Sequence, residues 1–119
     1  MSIQFKKEFP LEKRLTESKR ILEKYDARIP IIVTAYKTCR LPPIDKNKYL
    51  VPNDLTVGQF LHVIRKRIKI DQAQSIFMYV NDKILPPTSA SMISLYNEYK
   101  DDDGFLYMSY CGENTFGSC

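Results

Sequence analysis

Long apolar runs, paired cysteines and histidines are all scarce in this chain of 119 residues. No apolar segment approaches the roughly 20 residues that a membrane-spanning helix needs. The first seven residues lack the apolar core of a secretory signal, and Ser2 stands where myristoylation requires a glycine. We therefore expect one compact domain without a leader or a membrane-spanning segment.

The cysteines number three, which is an odd count, and no C-x-x-C spacing occurs among Cys39, Cys111 and Cys119. This pattern argues against a disulfide framework and against a zinc site, and it favours a reducing compartment. Cys119 is the last residue, so it cannot be the prenylated cysteine of a C-a-a-X box. The sequence predicts no metal and a cytoplasmic location.

Signals of catalysis are also few. The chain has one histidine, His62, and no glycine-rich phosphate loop or paired-carboxylate cluster. A cysteine acting with His62 is the one nucleophile–base pair worth considering, and His62 falls beside the apolar stripe of a predicted helix. We therefore expect no enzyme and no cofactor.

The net charge of +4 is unevenly placed. Basic residues concentrate in the first quarter of the chain and in Arg65–Lys69, whereas Asp101–Asp103 oppose them. Solvated helix faces explain much of this pattern, and acidic peptides or anionic lipid surfaces are the next candidates. Nucleic acid is not expected as a partner, because no aromatic-studded basic strand is present.

The first 26 residues predict two helices, with Pro10 opening the second. Apolar or small residues recur at helical spacing and predict its buried stripe: Leu11, Leu15, Ser18, Leu22 and Tyr25. Ile21 falls off that stripe beside Glu17, so it must pack elsewhere or contact a ligand. Strands are expected over 29–36 and 48–52, and Pro52 places the second at a sheet edge.

The second half predicts a strong helix between further strands. Thr56 and Gln59 form a capping box that opens this helix. Its core stripe is Val57, Phe60, Leu61, Ile64 and Ile68, with Val63 off the stripe. Strands are expected over 76–80 and 105–110, and the apolar run of the first favours core over a binding site. A helix capped by Thr88 or Ser89 separates them.

The order of elements predicts an α+β, ubiquitin-like β-grasp fold: a four-stranded mixed sheet with a central helix, preceded by two N-terminal helices. We expect three parts, namely a helical extension over 1–26 packed on a β-grasp domain over 27–112, and a flexible tail over 113–119. The tail places Phe116-Gly117 before the short stub Ser118-Cys119. A glycine can thread a narrow enzyme channel, which suits a conjugation site.

Several blocks in order resemble the ubiquitin-like modifiers of autophagy, the GABARAP-type proteins, over nearly the whole chain. The clearest blocks are Arg28-Ile29-Pro30, Lys48-Tyr49-Leu50-Val51-Pro52, Asp54 to Phe60, Ile64 to Ile68, Leu85 to Thr88, Asp103 to Tyr107 and Phe116-Gly117.

The resemblance implies that a cysteine protease cuts the Gly117–Ser118 bond. An activating enzyme and a transfer enzyme would then couple Gly117 to phosphatidylethanolamine. The protein would be cytoplasmic, and autophagosomal when lipidated, because two acyl chains give stable membrane attachment.

The resemblance also implies two pockets that bind cargo-receptor peptides by strand addition. An aromatic anchor would enter the first, formed by Glu17, Ile21, Pro30, Ile32, Lys48, Leu50 and Phe105. An aliphatic anchor would enter the second, formed by Tyr49, Val51, Pro52, Leu55, Phe60 and Val63, with Arg28 nearby. Lys46, Lys48 and Arg67 would attract acidic flanks of the peptide. The alternative is a ubiquitin-like adaptor for peptide or cytoskeletal partners that is never conjugated.

Overall fold

The computed structural model describes residues 3–36, 39–71 and 73–112, which form four helices and four strands. The elements run in the order α1 (Ile3–Glu8), α2 (Leu11–Lys24), β1 (Arg28–Ala35), β2 (Lys48–Pro52), α3 (Val57–Ile68), β3 (Phe77–Val80), α4 (Met92–Tyr99) and β4 (Leu106–Cys111).

The strands form one mixed sheet in the order β2-β1-β4-β3. Strand β1 is antiparallel to β2 and parallel to β4, and β3 is antiparallel to β4. The predicted α+β fold, a ubiquitin-like β-grasp with two leading helices, is therefore confirmed. Strand β2 lies at the edge, as Pro52 predicted, because a proline cannot donate to a further ladder on that side.

Helix α3 packs on one face of the sheet and builds the main core. The predicted capping box is present: Thr56 Oγ1 accepts from the Gln59 N–H at 3.2 Å, and Gln59 Oε1 accepts from the Thr56 N–H at 2.9 Å. Phe60 and Ile64 are fully buried against the sheet. Leu61 is only partly buried and packs at the margin of this core.

Helix α2 packs on the other face, but with only part of the predicted stripe: Ser18 is buried and Tyr25 is partly buried against the core. Its buried residues are Ser18 and Ile21, whereas Leu11, Leu15 and Leu22 are exposed by 39–48%. Ile21 joins a second, smaller core with Ile32 of β1, Tyr107 of β4, Phe105 just before β4 and Phe5 of α1. The off-stripe isoleucine is thus a core residue of this cluster.

A buried carboxylate joins α2 to the turn that precedes β4. Asp103 is fully buried, and its Oδ2 accepts hydrogen bonds from Arg14 Nη1 at 2.7 Å and from the Tyr107 hydroxyl. Asp103 Oδ1 accepts from the Phe105 N–H at 2.9 Å. Burial, followed by the hydrogen bond to Asp103, raises the pKa of Tyr107, so this hydroxyl stays a donor. Ser18 Oγ completes the contact by donating to the Asp103 carbonyl at 2.6 Å.

Some local predictions are wrong. Helix α4 is capped by Ser91, not by Thr88 or Ser89, since Ser91 Oγ accepts from the Ser94 N–H at 3.3 Å. Pro10 is the N-cap of α2 and lies one residue before its first turn. Cys111 is disulfide-bonded, which the odd cysteine count did not predict, whereas Cys39 is a free, half-buried thiol. None of the described helices is long and apolar enough to cross a membrane.

Candidate functional site

The free edge of β2 presents unpaired backbone groups. The Val33 N–H donates to the Asn47 carbonyl at 2.7 Å, so Val33 and Asn47 form a hydrogen-bonded pair. This fixes which backbone groups of β2 point towards β1 and which point away from it. In an antiparallel pair the backbone groups alternate in direction, so those of Lys48 and Leu50 point away from β1. Pro52 ends this edge without an N–H. A segment of two to four residues can therefore add to the sheet here.

The residues of the predicted aromatic pocket meet beside this edge. Pro30 pairs with Leu50, and Ile32 pairs with Lys48, so all four side chains share one face of the sheet. Four of the seven predicted residues are buried and form the floor of this site: Ile21, Pro30, Ile32 and Phe105. Leu50, Glu17 and Lys48 remain half-buried at the rim. The structure thus brings the predicted set together, with its floor already packed.

Charged side chains cross the rim between α2 and β2. Lys48 Nζ donates to Glu17 Oε2 at 2.7 Å, and Arg20 Nε donates to Glu17 Oε1 at 3.0 Å. The hydrogen bond from Arg20, followed by that from Lys48, lowers the pKa of Glu17 to about 2. The carboxylate is therefore ionised at neutral pH and draws Lys48 across the rim. An anchor that enters beside Leu50 has to move these side chains.

Sequence reasoning missed the part of α1 in this site. Phe5 is 7% exposed, and its ring lies 5.4 Å from that of Phe105 and 6.3 Å from that of Tyr107, centroid to centroid. A neighbouring cleft of about 490 Å³ extends from the rim along α1 and α2. Its lining is Phe5, Phe9, Glu12, Lys13, Arg14, Thr16, Glu17 and Lys48. The helical spacing of Phe5 and Phe9 was the available signal.

The residues of the predicted aliphatic pocket lie between β2 and α3. Tyr49, Val51 and Phe60 belong to the main core, and the rings of Tyr49 and Phe60 meet edge to face at 5.7 Å. Val63 is 43% exposed, and Leu55 is half-buried against the same core. Within this group, Val63, Leu55 and the half-buried Pro52 offer apolar surface to a ligand.

Arg28 and Pro52 form the end of the same groove. They are paired in the ladder of β1 and β2. Arg28 Nη1 donates to the Leu50 carbonyl at 3.0 Å, so this guanidinium covers one acceptor of the free edge. An added strand that uses this carbonyl has to displace Arg28.

The predicted contacts for acidic flanks are exposed on the far side of β2. Arg67 Nε donates to Asp45 Oδ1 at 3.0 Å, and the two side chains are 44% and 74% exposed. Such an exposed pair contributes at most about 1 kcal/mol, so an incoming carboxylate can replace Asp45. Lys46 Nζ lies 5.1 Å from the centroid of the Tyr49 ring.

The remaining predictions concern the tail and catalysis. Phe116, Gly117 and the Gly117–Ser118 bond lie outside the described residues. Cys39 packs near Tyr36 and Tyr79, whereas His62 lies exposed by the start of α3. Over 3–36, 39–71 and 73–112, no group of three or more histidine, cysteine or acidic side chains could hold a metal ion.

Comparisons with known proteins agree with this architecture. A family model described as "Autophagy protein Atg8 ubiquitin like" matches residues 13–117. The chain is 58% identical to "Autophagy-related protein 8" of Vanderwaltozyma polyspora, over 99% of both chains. It is 60% identical to "Autophagy-related protein 8d" of Arabidopsis thaliana, over 95% of this chain and 93% of that one.

A solved structure extends the similarity to the fold. The crystal structure of Trypanosoma brucei ATG8 superposes with a TM-score of 0.90 at 41% identity, covering 98% of this chain and 100% of that one. Since the family model and the relatives span nearly the full sequence, the chain belongs to the Atg8 family of ubiquitin-like autophagy proteins.

Proposed function

We propose that this chain is a conjugated modifier: cleaved between Gly117 and Ser118 and coupled through Gly117 to phosphatidylethanolamine. Its partners would be a processing cysteine protease, an activating enzyme and a transfer enzyme. The chain would be their substrate and would catalyse nothing itself. It would move from the cytoplasm to the autophagosomal membrane when lipidated.

One observation carries this proposal: the match to the Atg8 family extends to residue 117, and Gly117 lies five positions beyond Gly112, the last residue that the structure describes. A glycine suits a conjugation site, because the missing side chain lets it enter a narrow active site. This supports the division into an extension over 1–26, a β-grasp domain over 27–112 and a tail over 113–119.

The test is Gly117→Ala, with Ser118→Ala as the matched control. The first change should leave thermal unfolding unchanged and abolish the lipid-coupled form in cells. The second should still permit cleavage and coupling. The readout is the intact mass of the protein after reduction of its disulfide, which loses Ser-Cys and gains a phospholipid. A phospholipid adduct that persists in Gly117→Ala would refute the proposal.

We further infer that the free edge of β2 binds cargo-receptor peptides. An aromatic anchor would enter beside Leu50 under the bridge of Glu17 and Lys48, and an aliphatic anchor would contact Leu55 and Val63. Lys46 and Arg67 would attract acidic flanks. Each buried anchor contributes about 1.5–3 kcal/mol, and backbone pairing sets the register.

The peptide site is tested by Lys48→Ala/Leu50→Ala. The matched control is Lys83→Ala/Leu85→Ala, which removes the same residue types at the same spacing from an exposed loop. We expect the first pair to weaken binding of an acidic peptide with both anchors at least tenfold by calorimetry. Equal affinities of the two double variants would remove the assignment.

The rival function is an adaptor that binds peptides or cytoskeletal partners and is never conjugated. The free edge of β2 and the pockets serve both functions equally. Only the tail distinguishes them, so a cellular form that always retains Ser118 and Cys119 would favour the adaptor.

A further inference from the structure

The end of the molecule from which the tail departs lies next to the last turn of α3. A Cβ built on Gly112 would lie 3.4 Å from Leu41 Cγ and 3.6 Å from Gln74 Nε2, so two loops flank the exit. The Gln74 carbonyl accepts from Arg65 Nη1 at 2.6 Å. Arg65 belongs to the last turn of α3. The exit, both loops and this helix end are therefore contiguous.

This end is strongly basic. The segments 39–46 and 65–75, without residue 72, carry six basic side chains and two carboxylates: Arg40, Lys46, Arg65, Lys66, Arg67 and Lys69 against Asp45 and Asp71. The surplus of four equals the net charge of the whole chain, +4. Arg65 donates to loop carbonyls, and Arg67 donates to Asp45. Arg40, Lys66 and Lys69 are exposed to solvent.

The length of the tail restricts what this end can face. Gly117 lies five positions beyond Gly112, a stretch that spans at most about 18 Å when fully extended. The narrowest extent of the body is 23 Å. If Gly117 is coupled to a lipid, as the proposed function holds, the far side of the molecule cannot reach the membrane surface. The tail is short enough for the basic end to come within one Debye length of the headgroups, where exposed charges are not yet screened.

We propose that this basic end, through Arg40, Lys66 and Lys69, is a docking surface for anionic lipid headgroups. It orients the coupled protein with the tail exit towards the bilayer, and it does not use Lys46 and Arg67, which the peptide site requires. Stacking of nucleic-acid bases needs exposed aromatic rings, and none of the exposed side chains described in 39–46 and 65–75 is aromatic. A membrane is therefore the partner that fits.

The test uses the full, unconjugated chain and vesicles of phosphatidylcholine with and without phosphatidylserine, all lacking phosphatidylethanolamine. The variant is Arg40→Gln/Lys66→Gln/Lys69→Gln. The matched control, Lys7→Gln/Lys19→Gln/Lys24→Gln, removes the same charge from exposed positions near the N-terminus. Each basic residue near an anionic surface changes partitioning roughly fivefold. We expect about a hundredfold loss in the first variant, less than fivefold in the control, and weaker binding as salt rises.

Equal losses in the two triple variants would overturn the proposal, as would binding that ignores phosphatidylserine. A chain that ignores these vesicles but binds single-stranded RNA or an acidic peptide through Arg40, Lys66 and Lys69 would overturn it as well. No coupling occurs in this assay, so Gly117→Ala should bind the vesicles like the parent chain. Failure of the conjugation proposal and failure of this one are thus distinguishable.

Discussion

Replacing the buried carboxylate of Asp103 by an amide should destabilise this protein more than any comparable change in its acidic turn. In Asp103→Asn, one acceptor oxygen becomes an NH₂ group that faces Arg14 Nη1 and the Tyr107 hydroxyl. The hydroxyl can rotate and accept, but the guanidinium cannot. Flipping the amide moves the conflict to the Phe105 N–H.

The magnitude follows from burial. Removing one partner of a buried ion pair costs about 3–5 kcal/mol. The side chain of Arg14 is 11% exposed and keeps some contact with water, so we expect about 3 kcal/mol. Domains of this kind are stable by about 5–15 kcal/mol, so the loss is a large fraction of the total. With an m-value of about 2 kcal/mol/M, the urea midpoint should fall by about 1.5 M.

The matched control is Asp101→Asn. Asp101 Oδ1 accepts from Lys6 Nζ at 2.7 Å, but the two side chains are 22% and 27% exposed. Solvent screening should limit that loss to about 1 kcal/mol. Adding Arg14→Met to Asp103→Asn should recover part of the stability, because no unpaired charge then remains. The reasoning fails if the midpoints of Asp103→Asn and Asp101→Asn coincide.

Two further predictions concern α2 and its contacts. Gly104→Ala should lower the free energy of unfolding by about 2–4 kcal/mol, since Gly104 has φ +88° and an added Cβ would lie 2.3 Å from Ser18 Oγ. The control is Gly58→Ala, whose free energy of unfolding should lie within about 1 kcal/mol of the parent when both are measured by chemical denaturation. The bridges of Glu17 should stabilise the fold fully above its unfolded pKa of 4.5 and lose this effect as pH falls towards 2, because the folded pKa is depressed to about 2. The difference in Tm between the parent and Glu17→Gln should therefore be constant from about pH 6 to 5 and shrink below about pH 4; a difference that grows on acidification would contradict this sign.

Local chemistry explains what could be predicted about the fold. The reciprocal bonds of Thr56 and Gln59 need only three residues of separation, so the start of α3 followed from the sequence. Pro52 lacks an N–H, which placed β2 at the edge. Short β-branched or apolar runs between the helices predicted four strands at the observed places along the chain, and the short blocks from Arg28 to Gly117 predicted the family.

Contacts between distant segments decided the rest. The leucines of α2 suggested that their side of the helix is buried, but Leu11, Leu15 and Leu22 are exposed. Ser18 is buried instead, because the turn at Gly104 leaves room only for a small side chain and the Asp103 carbonyl accepts its hydrogen bond. Phe5 and Asp103 acquire their roles only when α1 and the acidic turn meet α2.

The sequence by itself determined those elements in which a short segment makes its own backbone hydrogen bonds or caps its own helix. Only the tertiary structure determined which face of α2 is buried, how Glu17 and Lys48 meet at the rim and why the basic residues collect at the tail exit. Those features depend on burial and on distances between residues far apart in sequence, which no local pattern encodes.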